Sequence, residues 1–153
     1  MISIKTHTIR ANTLLSSLEM HVSLVPPLVT DITPYLAQKW MAVWDTGATR
    51  SCITHRVTEQ LPLVQIGSGV IYTAMGQRAI KTYLVHIVLP GDIKIKAEVA
   101  SVPDFGTDTD VVLGIDIISQ LDFCISNANN RTTFSYRHPA TEEIDLALSL
   151  FTQ

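Results

Sequence analysis

The sequence predicts a single all-β domain with one or two short helices. Three observations point there. Apolar runs are brief and end at turns rich in Gly, Pro or Asn, and residues 92–99 alternate strictly between polar and apolar side chains. Helical spacing is confined to short stretches at residues 57–63, 115–121 and 139–153. A chain of 153 residues suits one domain, and a domain of that size buries roughly two thirds of its unfolded surface.

Along the chain, Ile2, Ile4, Thr6 and Thr8 alternate with polar neighbours in a way that suits an edge or interface strand. Val22, Leu24, Leu28 and Val29 suggest extended segments interrupted by Pro26 and Pro27, and Pro34 is expected to make a further break. Residues 40–44 are wholly apolar, which predicts a strand buried on both faces. Residues 51–54 suit a short strand or helix, and residues 57–63 supply a helical turn that Pro62 stops. Gly67, Ser68 and Gly69 predict a loop.

Residues 70–73 and 79–89 then predict two strands joined by a hairpin tip at Ala74, Met75, Gly76 and Gln77. Pro90 and Gly91 turn the chain into the alternating strand, and residues 101–110 predict a polar loop with three aspartates. Residues 111–114 form another apolar strand ending in glycine, followed by Ile117, Ile118 and Leu121 at helical spacing. Residues 123–125 and 132–136 flank an Asn-rich turn and predict a last hairpin. Glu142, Glu143 and Asp145 just after Pro139 favour a terminal helix with Ile144, Leu148 and Phe151 in one stripe.

Composition excludes several classes of function. Net charge is −3 and no dense Lys/Arg patch occurs, so the electrostatic footprint of nucleic-acid binding is missing. No apolar run approaches the roughly 20 residues that cross a bilayer. The N-terminus lacks a signal-peptide pattern, because Ser16, Ser17 and Glu19 follow Leu14 and Leu15 closely; a cytoplasmic protein without membrane contact is the expectation. Cys52 and Cys124 show no CxxC spacing and are expected to be buried free thiols.

The five histidines lack HxxxH or HExxH spacing, and Asp104, Asp108 and Asp110 lack the Gly and Glu of a calcium loop. No GxSxG elbow is present, and the glycines at 67 and 69 are not followed by a phosphate-loop lysine. Neither a metal nor a cofactor is expected.

The segment AVWDTGATRSC, residues 42–52, places Asp45 between an apolar run and a Gly-containing turn. A hairpin with a glycine at its tip follows, and then DVVLGIDII at residues 110–118. In that order these features resemble the retropepsin-like aspartic proteases, over roughly residues 22–136. The resemblance implies a closed β-barrel protomer with a flap hairpin, in which the strands before Asp45 and before Gly114 cross beneath the active site. It implies that Asp45 is the catalytic carboxylate, that Thr46 supports its counterpart across a dimer axis, and that Gly47 lets substrate backbone approach. Ala48, Thr49, Tyr72, Ala74, Met75, Gly76 and Gln77 are the implied substrate contacts.

The chemistry explains these residue types. Hydrolysing a peptide bond with water takes a base for the water proton and an acid for the carbonyl oxygen and leaving nitrogen. Two carboxylates about 3 Å apart share one proton and supply both. The chain has one Asp-Thr-Gly and no Asp-Ser-Gly, so the second carboxylate must come from a second copy in a homodimer. Residues 1–20 and 139–153 are candidates for the dimer interface or for appended elements of the one domain, 1–153.

Viral members carry acids just after the Ala, and an Arg after the later Gly that pairs with one of them; here those positions are Thr49, Arg50 and Ile115. An Arg50–Asp116 contact is the expected replacement, and Trp44 is expected to narrow the site. A catalytically silent binding or regulatory module on the same fold is the alternative.

Overall fold

The computed structural model describes residues 3–74 and 76–147. Its first strand, β1 (Lys5–Arg10), pairs antiparallel with β10 (Thr133–His138), which pairs in turn with β9 (Asp122–Ser126). β1 is an edge of this three-stranded sheet, as its alternating pattern predicts. The turn between β9 and β10 places Asn129 and Asn130 at φ of 56° and 57°, a left-handed region that asparagine enters more readily than bulkier residues.

The second sheet has seven strands. β2 (Glu19–Val25), β3 (Trp40–Trp44), β8 (Val111–Leu113), β4 (Cys52–Thr54), β7 (Ile93–Val102), β6 (Gly76–Leu89) and β5 (Gln65–Thr73) lie side by side in that order. Ser23, Leu24 and Val25 of β2 also pair with Val88, Ile87 and His86 of β6. That pairing closes β2, β3, β8, β4, β7 and β6 into a ring, which removes exposed sheet edges. β5 stands outside the ring, hydrogen-bonded along β6.

The alternation of residues 92–99 reads directly into β7. Ile93, Ile95, Ala97 and Val99 are buried, while Lys94, Lys96 and Glu98 face out. Leu24, Trp40, Ile53, Ile87 and Leu113 fill the ring interior with them. The two sheets meet at an aromatic cluster: the Trp44 ring lies 5.1 Å from Phe123, 5.4 Å from Phe134 and 5.4 Å from Tyr136. These separations fall in the favourable range for tilted and edge-to-face rings. Burial in this cluster pushes the Tyr136 hydroxyl pKa up.

Several elements differ from the sequence reading. β3 alternates between buried and half-buried residues and is not buried on both faces. Gly67, Ser68 and Gly69 belong to β5, not to a loop, because they pair with Thr82, Lys81 and Ile80 of β6 just after a bulge between Gln65 and Gly67. Thr73 pairs with Gly76, so the hairpin connection shortens to residues 74 and 75. Gly76 and Gln77 are therefore strand residues, and Gly76 takes a φ of 107° that suits glycine. Ser101 and Val102 extend β7 before the polar loop begins.

Three short α-helices form among the described residues, against the one or two expected. They are α1 (Thr33–Ala37), α2 (His55–Gln60) and α3 (Ile115–Ile118). Pro34 does not break the chain but starts α1, because a first-turn proline loses no intrahelical bond. The terminal helix is absent through residue 147. Instead the segment is fastened to β9, where the Asp122 carboxylate accepts the Thr141 N–H at 3.0 Å. Leu148 and Phe151 lie outside the described residues. Among the described residues, no helix is long and apolar enough to cross a membrane.

Candidate active site

Asp45 follows the last residue of β3, and one parallel pairing puts it where it is. β3 runs alongside β8 with Ala42 opposite Val111 and Trp44 opposite Leu113. The Asp45 N–H continues that ladder to the Leu113 carbonyl at 2.9 Å. The chain then turns sharply, with the Ala48 N–H on the Asp45 carbonyl at 3.2 Å and the Gly47 N–H on Asp45 Oδ1 at 2.8 Å. The carboxylate is exposed, and no ion pair reaches it among the described residues. A Cβ at position 47 would lie 3.1 Å from Asp45 Oδ1, so glycine leaves that oxygen uncrowded.

The loop is locked from behind by the segment after β8. Gly114 approaches so closely that a Cβ there would lie 2.7 Å from the Ala48 carbonyl oxygen. The Ile115 N–H donates to that same oxygen at 2.8 Å. Ser51 is fully buried, and its hydroxyl accepts the Gly114 N–H at 2.9 Å. Asp116 takes the Ser51 N–H on both oxygens at 3.0 Å. The residues flanking the two motifs, 45–51 and 113–116, thus form one hydrogen-bonded unit.

In front of the loop, a cleft of about 660 Å³ lies between residues 47–52 and the β5–β6 hairpin. Ala48, Thr49 and Tyr72, three of the expected contacts, line it together with Gly47. Asp45 and Thr46 are exposed on the same loop but do not line the cleft. Ala74 faces a neighbouring hollow with Arg78, Asp104 and Phe105. Gly76 and Gln77 line neither space, because they stand beyond it on the outer end of β6. Met75 lies outside the described residues.

The cleft also contains residues not anticipated as contacts: Arg50, Cys52, Ile80, Thr82 and Glu98. Arg50 Nη1 reaches Glu98 Oε1 at 3.5 Å and not Asp116, whose carboxylate is already occupied by Ser51. Strand alternation places Ile80 and Thr82 on one face of β6, a period-2 signal present in the sequence. Cys52 and Cys124 are free, and half-buried where full burial was expected. Burial, reinforced by Asp116 and opposed by Arg50, pushes the Cys52 thiol up to about 11. Trp44 does not narrow the cleft, because its side chain belongs to the aromatic cluster.

A family model described as aspartyl protease matches residues 37–117, which span β3, the Asp45 loop, the long hairpin and Gly114. The chain belongs to the aspartyl protease family. Its enzyme class is accordingly an aspartic-type endopeptidase. Among solved structures, this aspartyl protease is similar to a retropepsin-like aspartic protease from Rickettsia conorii, at 16% identity and a TM-score of 0.56. That likeness covers 89% of this chain and 96% of the other. It is also similar to the EIAV protease in complex with the inhibitor HBY-793, at 19% identity and a TM-score of 0.53, covering 69% and 88%. The aspartyl protease therefore has a retropepsin-like, all-β fold. No curated protein sequence matches it.

Proposed function

We propose that this aspartyl protease hydrolyses peptide bonds as a homodimer whose two Asp45 carboxylates form one catalytic dyad. A single observation carries the reading. The chain's one Asp-Thr-Gly presents an exposed carboxylate, oriented by the Gly47 N–H at 2.8 Å, on a loop braced by Gly114 and Ser51. Such a group has no second carboxylate of its own motif to work with, and a two-fold axis supplies one.

In the dyad, one carboxylate is ionised and removes a proton from the attacking water. The other is protonated and donates to the substrate carbonyl oxygen as the tetrahedral intermediate forms. Collapse breaks the C–N bond as the leaving nitrogen receives a proton, and the shared proton is restored. Thr46 hydroxyls hold the two loops together, and Gly47, Ala48 and Thr49 take the substrate backbone. The β5–β6 hairpin acts as the flap, with Tyr72, Ala74, Met75, Gly76 and Gln77 over the peptide. The unit that dimerises is the single domain 1–153, and the outer edge of β1, with residues 139–153, supplies contacts between copies.

The test is Asp45→Asn. It should abolish cleavage of a mixed peptide library while circular dichroism and the sedimentation coefficient of the dimer stay unchanged. Cleavage that persists in this variant removes Asp45 from the mechanism, and a monomer that cleaves removes the shared dyad. Activity should peak at acidic or mildly acidic pH, because one proton must stay on the pair.

A further inference from the structure

The cleft beside Asp45 contains a polar corner that its family membership does not account for. Arg50 and Glu98 face each other across it at 3.5 Å, with side chains 50% and 48% exposed. The contact is long and single, so the guanidinium keeps most of its five donors and the carboxylate keeps lone pairs on both oxygens. Further in, Thr82 borders the same cleft; the residue is 2% exposed, and its buried hydroxyl has no hydrogen-bond partner among the described residues. A buried hydroxyl without a partner is uncommon and calls for an explanation.

The backbone opposite covers that hydroxyl. Gly67 pairs with Thr82 and Gly69 with Ile80, so β5 places glycines directly opposite these two residues. A Cβ at Gly67 would lie 2.8 Å from Thr82 Oγ1. Glycine there lets β5 close over the hydroxyl, so the Arg50–Glu98 pair is the part of this corner that a ligand can reach.

We propose that Arg50 and Glu98 form a specificity subsite for a primary carboxamide, a glutamine or asparagine side chain of the peptide substrate. The inference rests on the protease reading above. A carboxamide is planar and neutral and carries a donor and an acceptor side by side. Its oxygen accepts from Arg50 while its N–H donates to Glu98. The pair is net neutral, so each charged competitor meets one favourable and one unfavourable partner. A carboxylate side chain faces Glu98, and an ammonium faces Arg50. An aliphatic side chain would strip water from both charges and return no hydrogen bond.

The experiment separates the subsite from catalysis by reading binding and cleavage in parallel. Hexapeptides carrying Gln, Glu, Lys or Leu at each position in turn are titrated against full-length Asp45→Asn protein by fluorescence anisotropy, and the same peptides are offered to the wild type. At one position Gln should bind about tenfold more tightly than Leu, the effect of one net hydrogen bond. Arg50→Ala should turn that preference toward Lys, Glu98→Ala should turn it toward Glu, and the exchanged pair Arg50→Glu with Glu98→Arg should keep Gln first. Wild-type cleavage with no such position, or a preference unmoved by either single variant, overturns the subsite and leaves the protease standing. Gln-selective binding without wild-type cleavage upholds the subsite and overturns the catalytic reading.

Discussion

Ser51 and Asp116, 65 positions apart in sequence, are joined by a hydroxyl–carboxylate hydrogen bond of 2.6 Å. The same Ser51 oxygen accepts the Gly114 N–H. One side chain thereby ties the loop carrying Asp45 to the residues after β8. Ser51→Ala removes a charge-assisted bond and leaves a buried N–H without a partner, a loss of about 2–4 kcal/mol. Urea denaturation should show that loss, and Ser51→Thr should recover part of it.

Gly114 has no conformational need for glycine, since its φ is −89°. Its constraint is space. An alanine Cβ would lie 2.7 Å from the Ala48 carbonyl oxygen and 2.9 Å from the Arg50 carbonyl carbon, and neither backbone atom can step aside alone. Gly114→Ala should therefore displace residues 45–51. Amide chemical shifts of that loop would register the movement, and cleavage should fall with it.

Trp44 is expected to matter for stability and not for selectivity. Its ring is 7% exposed and contacts Phe123, Phe134 and Tyr136. Trp44→Ala should cost about 3–5 kcal/mol by opening a cavity where the two sheets meet. Peptide-library profiles of the variant, taken at a temperature where it is still folded, should match the wild type.

Asp122 fastens the segment after β10. Its carboxylate accepts the Thr141 N–H at 3.0 Å and pairs with Arg137 at 2.6 Å, and these partners hold its pKa below the ordinary 3.8. A lowered pKa stabilises the fold above the unfolded value, and that contribution fades as pH falls through the folded one. Asp122→Asn should thus lower the melting temperature equally at pH 7 and pH 5. The difference should shrink below pH 3.8. A gap that stays constant down to pH 2 would show that the charge plays no part.

Much of the barrel was legible because strand burial repeats every second residue. Residues 92–99 carry that period without interruption, and β7 follows it side chain by side chain. The place of Asp45 on an exposed turn after β3 was legible for a different reason, since its motif and its neighbours in the chain are local. Trp44 shows the limit of adjacency. Successive strand side chains point to opposite faces, so the residue beside the exposed carboxylate lies in the core.

What stayed hidden depends on partners distant in sequence. Arg50 meets Glu98 only because loop and β7 converge, and Asp116 is withdrawn from Arg50 by the Ser51 amide. Gly67 and Gly69 read as loop residues because glycine is a local turn signal. Their role in β5 is visible only once Thr82 and Ile80 stand opposite.

The fourteen residues of β6 belong to two mechanical bodies. From Lys81 to Leu89 the strand is paired to β7, and at His86 to Val88 also to β2, so it is a stave of the ring. From Gly76 to Ile80 its partner is β5. The hairpin is thus a cantilever clamped at one end, with its bending point near Lys81 and no separate hinge segment. Force on the outer end loads the ring wall itself, and amide hydrogen exchange should rise outward from that clamp.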